Sequence, residues 1–481
     1  MHRRVAINKT HETFRGKEVK LTSKHLWGLF AIAILLRLIT LGLYPLMDTT
    51  EARYGEMARI MWETGNWLTP MTDYDVPFWG KPPMFTWLSA AGIQLMGLSE
   101  FAVRMPHWLI GVVTIGICAY FAKRVGINPL VSSVVIATTA VFSISAGAVM
   151  TDMAMTVSLA FALVGFYLCW QGDQKWGYIG FIALGFALLS KGPVTIVIFG
   201  LAAFPFLVIQ HGLIGAFREL WQRFPLIKGL ALMSIVAVPW YIMAERATPG
   251  FLDYFIIGEH YLRFTVPGWD GDLYGNAHDE PRGIIWWFWI QAAAPWSISL
   301  ILMSWTRRTQ IKEFNAANPG LLSFLVCWMI SPMILFTFAG NILPAYVLPG
   351  TPAVGLLMAC LIRGDEKWFT KVALIVPALL IFAVIFIGVK SGEERSDKAV
   401  FADYEVGVPV YYVGSRPFSG QYYSEGNAVR YKDPEDLRGH ENGYYLAGRP
   451  HEIERFLPAH NLQEACTLEN GTERRQLVRC K

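Results

Sequence analysis

Carboxylates, lysines and a histidine gather at a few junctions of this 481-residue chain, and their types already point to a chemistry. The run Asp48-Thr49-Thr50-Glu51-Ala52-Arg53-Tyr54 holds two carboxylates and an arginine. Asp73 and Asp75 lead into Pro77-Phe78-Trp79-Gly80-Lys81-Pro82-Pro83, where one lysine is fixed between rigid and aromatic neighbours. Thr151-Asp152-Met153 and Ser190-Lys191-Gly192-Pro193 place a carboxylate and a lysine at very short junctions between apolar runs. Glu259-His260-Tyr261-Leu262-Arg263-Phe264 sits in a long connection. A carboxylate beside an acceptor hydroxyl can take its proton, and lysine is a compact cation suited to a departing phosphate. With aromatic side chains at 14% to receive an apolar substrate, the set suits a lipid-phosphate donor.

Each residue also has an ordinary structural role. Asp48 and Glu51 stand where a helix could be capped, Lys191 can snorkel, Asp152 can cap a span, and His260 can be a surface histidine. The set carries the argument, because ionisable groups near a bilayer are costly and default to function.

The elements that must position them are membrane spans. Hydrophobic residues make up 54% of the chain and charged ones 16%, against about a quarter charged in soluble domains. Soluble, disordered, collagen-like and disulfide-scaffold classes are excluded. The net charge, 41 − 37 = +4, is too small to argue for nucleic acid. Residues 1–25 form a basic tail, and 26–46 run almost unbroken apart from Arg37. That is about the length needed to cross a hydrocarbon core of roughly 30 Å, and no cleavage site follows, so it reads as an uncleaved first span. Further apolar runs lie at 104–122, 130–149, 154–170, 177–190, 193–210, 227–243, 284–305, 320–339, 344–362 and 370–389. These predict an α-helical polytopic membrane protein of about 11 spans, or up to about 13, with 82–98 a competitor. Lys123-Arg124, Lys175, the stretch from Arg218 to Lys228, Arg307-Arg308 with Lys312, and Arg363 with Lys367 and Lys371 make one set of connections basic, and therefore cytoplasmic with the amino terminus. Loops 47–103 and 244–283, with Trp269, Asp270, Asp272, His278 and Asp279 in the second, then face the other side.

From Glu51 the apolar Tyr54, Met57, Ala58 and Met61 recur at helical spacing, with Arg53, Glu56, Arg59 and Glu63 on other faces. This predicts an amphipathic helix lying at the outer interface. After Lys390 the composition changes, and 390–481 reads as a small α/β domain on the outer side. Strands are expected around Val408–Val413 and Gly443–Ala447 and short helices at Asp433–Arg438 and Pro450–Phe456. Cys466 and Cys480 flank a hairpin turn expected at Asn470-Gly471 and can pair on an oxidising side. Cys118, Cys169, Cys327 and Cys360 fall in or beside spans and read as packing residues.

The stretch Asp48–Pro83, with T-E-A-R-Y-G-E-M-A-R and K-P-P, resembles the bacterial C-type glycosyltransferases related to protein O-mannosyltransferases, and within them the lipid A aminoarabinose transferases. Thr151-Asp152, Ser190-Lys191-Gly192, Pro239-Trp240-Tyr241, Glu259-His260 with Arg263-Phe264, Pro295-Trp296 and the run Leu343 to Pro349 around Tyr346 follow the family's order across roughly residues 26–360. The resemblance implies an inverting enzyme at the periplasmic face of the inner membrane. It would move a sugar from a polyprenyl-phosphate carrier to an envelope glycolipid such as lipid A, with protein hydroxyls as the alternative acceptor. It implies a catalytic carboxylate in the first loop. The family usually has Asp-Glu before Ala/Thr-Arg-Tyr; here Thr50-Glu51 stands there, which leaves Asp48, with Glu51 beside it, for the role. Lys81, with Arg53 and Lys191, would hold the donor phosphate, and Tyr54, Asp152, Glu259, His260, Arg263 and Tyr346 would line the cavity. Relatives carry a Glu just before the Lys-Pro, linked to a divalent metal; Gly80 takes its place here, so the metal site is expected to be missing or rebuilt. The rival from another class, a transporter, predicts internal repeats and midplane ionisable groups, and no repeat relates the halves of this chain.

Overall fold

The first apolar run forms the helix α1 (Ser23–Thr40), capped by the Thr22 side chain. Its Trp27, Leu35 and Ile39 are turned outward while Leu26, Leu29 and Ala33 pack inward. That two-sided apolar surface is what a span between lipid and protein requires. The computed structural model describes residues 22–275, 280–362, 367–387 and 392–481. The basic tail before Thr22, the loop residues His278 and Asp279, Arg363 and the composition change at Lys390 lie outside these.

The helical domain continues through α2 (Thr50–Thr64), α3 (Met84–Met96), α4 (Glu100–Arg124), α5 (Pro129–Ala137), α6 (Ala140–Ser145), α7 (Thr151–Trp170), α8 (Gln174–Lys191), α9 (Val194–Arg223) and α10 (Leu226–Ala247). A two-stranded hairpin, β1 (Met71–Asp73) and β2 (Val76–Pro77), lies between α2 and α3. Beyond α10 a π-helical segment, Asp253–Leu262, leads to a series of shorter helices between Arg263 and Phe386. One apolar core runs through this domain and centres on α7, which is buried along most of its length.

The chain is thus a helical polytopic membrane protein with a small carboxy-terminal sheet domain. Among the described residues seven helices are long and apolar enough to cross a membrane, or up to nine if two bent pairs each count as one span. The run 130–149 breaks at Thr138-Thr139 into α5 and α6, of nine and six residues, each far short of the roughly 20 needed. Runs 284–305 and 320–339 fall in helix pairs bent by 99° and 113°. Run 193–210 extends to Arg223, but Gly212 (φ 70°) kinks it. Beyond the kink, Leu213, Ile214, Phe217 and Trp221 are exposed beside Arg218 and Arg223, the make-up of an interfacial helix. Arg37 is buried and hydrogen-bonds the carbonyls of Ala146 and Ile144, at 2.7 and 3.0 Å, and the Tyr44 hydroxyl. Backbone oxygens at the end of α6, not a carboxylate, balance it.

Helix α2 departs furthest from its expected place. Glu56 and Arg59, expected on a solvated face, are 0% and 2% exposed. The carboxy-terminal domain covers that face: Tyr422 packs beside Gly55, and Arg59 donates to the Glu425 carbonyl. The domain is a five-stranded sheet in the order β4-β3-β5-β7-β6, from β3 (Val410–Tyr412), β4 (Ala428–Arg430), β5 (Tyr444–Gly448), β6 (Cys466–Gly471) and β7 (Gln476–Cys480). Strands β4, β3 and β5 run parallel; β5, β7 and β6 antiparallel. Alternation along β3 and β5 sends Val410, Tyr412 and Tyr445 to one core and Tyr411, Tyr444 and Leu446 to the other. Cys466 and Cys480 are disulfide-bonded across β6 and β7, while the four remaining cysteines are free and buried. The turn falls after Asn470-Gly471, at residues 472–475, because a bulge between Leu468 and Asn470 carries β6 on to Gly471.

Candidate active site

Six segments converge on one cavity of about 240 Å³. The start of α2 contributes Thr50, Arg53 and Tyr54, preceded by Thr49. The segment after β2 contributes Phe78 and Lys81, the start of α7 Thr151 and Asp152, and the end of α8 Lys191. The π-helical segment and the chain after it bring Glu259, Arg263, Asp272 and Tyr274; Leu343 and Tyr346 close the wall. Helix ends meet here because the polar junctions between apolar runs emerge on one face. A smaller pocket of about 90 Å³ adjoins it, shares Lys81, Lys191, Glu259, Arg263 and Tyr346, and is otherwise walled mainly by apolar side chains of α7, α9 and later helices.

The charges are paired in a definite pattern. Lys191 Nζ lies 2.6 Å from Asp152 Oδ1 and 4.5 Å from the centroid of the Tyr346 ring. Lys81 Nζ donates to Glu259 Oε2 at 2.6 Å, and Arg263 reaches Glu259 Oε1 at 3.0 Å and Asp272 Oδ2 at 3.2 Å. Arg53 alone of the four cations faces no carboxylate among the described residues. It donates to the Tyr274 carbonyl, its guanidinium carbon lies 5.2 Å from the Tyr54 ring and 5.9 Å from those of Phe78 and Phe418, and its Nε is buried without a partner among the described residues. Four cations against three carboxylates leave the cavity short of one anion.

Burial works to raise the Glu259 carboxyl, but Lys81 and Arg263 outweigh it and hold the group below the ordinary carboxylate range. Burial lowers His260 below the usual histidine value, so its ring is neutral near pH 7. His260 Nδ1 lies 2.8 Å from the Phe255 carbonyl and Nε2 3.2 Å from that of Lys191. A neutral ring carries one N–H and so donates to one of these two carbonyls at a time; it lies between the π-helical segment and the end of α8 and lines the smaller pocket.

The two carboxylates expected to be catalytic are turned elsewhere. Glu51 forms a two-oxygen pair with the guanidinium of Arg104, at 2.8 Å on each side, and Arg104 also donates to the carbonyls of Leu41, Tyr44 and Pro45. Asp48 accepts from the Ser419 hydroxyl at 2.5 Å and from its backbone N–H at 3.1 Å. Neither residue lines the cavity, whereas Thr49 and Thr50 do. Asp73 is also drawn away, to Arg416 and Gln421 of the sheet domain. The remaining site residues expected from sequence, Arg53, Tyr54, Lys81, Asp152, Lys191, Glu259, Arg263 and Tyr346, line the larger cavity.

Among the described residues no three His, Cys, Asp or Glu side chains gather. A Cβ at Gly80 would stand 2.8 Å from Phe78 and 3.3 Å from Tyr274, so that position has no room for a ligand without rearrangement.

Sequence reasoning does not place Tyr274 or Asn341 in the site, and it names Asp272 only among the loop residues expected to bear on the substrate. Asp272 was visible as one of several polar residues in 247–282, with nothing to rank it. Asn341 carried no signal beyond preceding the Leu343 to Pro349 run.

Residues 24–255 match the family described as dolichyl-phosphate-mannose-protein mannosyltransferase. The chain is similar to the undecaprenyl phosphate-alpha-4-amino-4-deoxy-L-arabinose arabinosyl transferase of Erwinia tasmaniensis. The two are 28% identical over 67% of this chain and 56% of the relative. A Pseudomonas fluorescens enzyme of the same description, numbered 1, is 25% identical over 72% of this chain and 58% of its own. The chain therefore spans less than three-fifths of the length of these curated relatives. The fold matches the crystal structure of ArnT from Cupriavidus metallidurans bound to undecaprenyl phosphate, with a TM-score of 0.73 and 18% identity over 95% of this chain and 98% of that one.

Proposed function

We propose that this protein is an inverting glycosyltransferase of the bacterial inner membrane that uses a polyprenyl-phosphate-linked sugar and acts at the periplasmic face on an envelope glycolipid such as lipid A. One observation carries the reading. Lys81, Lys191, Arg263 and the carboxylate-free Arg53 line one cavity beside only three carboxylates, Asp152, Glu259 and Asp272. A phosphate supplies the missing negative charge, and in a chain of apolar helices a lipid is the natural carrier of that phosphate. The named activities and the bound lipid of the similar proteins support the same donor.

We infer the base from the carboxylate pattern. Glu259 answers two cations and Asp272 shares Arg263, whereas Asp152 has Lys191 as its one charged partner. An arriving phosphate competes for Lys191 and releases Asp152, which stands in the first turn of α7. Asp152 then takes the proton of the acceptor hydroxyl. The acceptor oxygen bonds to the anomeric carbon from the opposite side as the carbon–oxygen bond to phosphate breaks, and the electron pair leaves on the phosphate, stabilised by Lys81, Lys191 and Arg53. Asp48 and Glu51 act in this reading as supports.

Transfer of sugar mass to lipid A, followed by mass spectrometry with purified protein, tests it. Asp152→Asn is expected to lower turnover by about 10²–10⁴-fold, and Lys81→Ala to weaken donor use. Full activity in both variants overturns the assignment. Sugar found on protein rather than lipid would move the acceptor.

A further inference from the structure

The smaller pocket contains a polar group that the proposed chemistry leaves unused. Asn341 is 6% exposed and lines this pocket. Its Nδ2 donates to the Arg263 carbonyl at 2.7 Å and towards the Val266 carbonyl at 3.4 Å. Two acceptors on that end fix the orientation of the amide, because an amide oxygen turned towards them would face oxygen with oxygen. The other end, Oδ1, is buried and has no hydrogen-bond partner among the described residues. A buried acceptor without a donor is a standing cost, and only a donor group removes it.

The surroundings indicate what brings that donor. The Phe336 and Tyr346 rings lie 4.6 Å apart in the same pocket, and Tyr346 also carries Lys191 over its face. The pocket adjoins the cavity through Lys81, Lys191 and Arg263, where the donor phosphate belongs. A hydrocarbon tail would leave Asn341 Oδ1 stranded. A sugar ring gives the aromatic pair a C–H face and gives the carboxamide a hydroxyl or amine.

We infer that this pocket is the subsite for the transferred sugar, and that Asn341 Oδ1 accepts a hydrogen bond from one of its hydroxyl or amino groups and so helps set which sugar is used. The inference rests on the donor reading above. It makes Asn341 a specificity residue, while its Nδ2 end holds the segment after Arg263.

Equilibrium binding to the purified full chain separates the two roles, with polyprenyl phosphate, polyprenyl-phospho-arabinose and polyprenyl-phospho-mannose as probes. In the wild type at least one glycosylated probe is expected to bind more tightly than bare polyprenyl phosphate. Asn341→Leu, which also removes the Nδ2 bonds, is expected to weaken that probe about tenfold more than it weakens the bare lipid, the worth of one hydrogen bond. Asn341→Ser, smaller and still polar, serves if the leucine variant does not fold. Equal weakening of bare and glycosylated lipids would make Asn341 structural and overturn the inference, as would unchanged binding of both or tighter binding of the bare lipid. Bare lipid that binds with no gain from any sugar overturns the subsite but leaves the donor reading standing. Failure of all three probes to bind overturns both.

Discussion

Glu51 and His260 are ionisable residues beside the candidate site whose contacts are with neighbouring protein groups. Glu51 neutralises Arg104, whose side chain is 0% exposed, and together they draw the 41–51 segment against α4. A true base at Glu51 would lose about 10²–10⁴-fold in turnover as Glu51→Gln. The pairing predicts instead that Glu51→Gln keeps turnover within about tenfold, because the amide still offers an oxygen to Arg104. Arg104→Met should cost about 3–5 kcal/mol of stability by burying Glu51 without its partner. Thermal unfolding and transfer rates of the two variants check this. His260 makes a pH prediction. Burial depresses its pKa, so its contribution to stability is complete above the ordinary histidine value, about 6.5, and is lost as pH falls through the lower folded value. Unfolding temperature should therefore drop below about pH 6.5 more steeply in the wild type than in His260→Gln. Parallel acid limbs in the two proteins would reject the assignment.

At the scale of elements, close helix approach positions Lys81. Helix α3 follows Lys81-Pro82-Pro83 directly, and Gly92 lets it meet α4. A Cβ at Gly92 would lie 2.0 Å from the Ala102 carbonyl oxygen and 3.0 Å from Pro106. Gly92→Ala must push the helices apart, at a cost of about 1–3 kcal/mol. It should also break the 2.9 Å Ser89–His107 contact and lower transfer by displacing Lys81; a variant with wild-type stability and rate would show that the approach is slack. The sequence made such elements partly legible. Apolar runs located nearly every helix, since membrane burial is written in composition, and isolated Lys81, Asp152 and Lys191 stood out because charge is rare there. Breaks inside apolar runs, such as Thr138-Thr139, have no compositional mark. The outcome at Asp48 and Glu51 depended on partners 371 and 53 positions away, Ser419 and Arg104, and no local pattern reports those.

On the scale of the whole molecule, the sheet domain docks on the elements that carry the site. Besides Ser419 on Asp48, Arg416 and Gln421 hold Asp73, Tyr423 donates to Glu100 at 2.9 Å, and Lys398 reaches Glu100 at 2.6 Å. Phe418 opens a short helix, Phe418–Tyr423, and faces Arg53, so docking of the domain and the stance of the carboxylate-free cation are mechanically linked. The Asp48 contact has a sign in pH. Burial raises its pKa and the Ser419 hydrogen bonds offset this only in part, so the docked state favours the protonated carboxyl more than an undocked state does. Its contribution to docking is then complete below the ordinary aspartate value and diminishes as pH rises through the raised one. Asp48→Asn, neutral at every pH, should remove this dependence and retain transfer within about tenfold, whereas a base at that position would lose about 10²–10⁴-fold. Ser419→Ala should loosen the domain, seen as faster hydrogen exchange in 416–426 and α2, and raise the apparent KM for donor through Arg53 with a smaller change in kcat. If Asp48→Asn abolishes transfer while exchange in 416–426 is unchanged, Asp48 is the base and the domain contact is incidental.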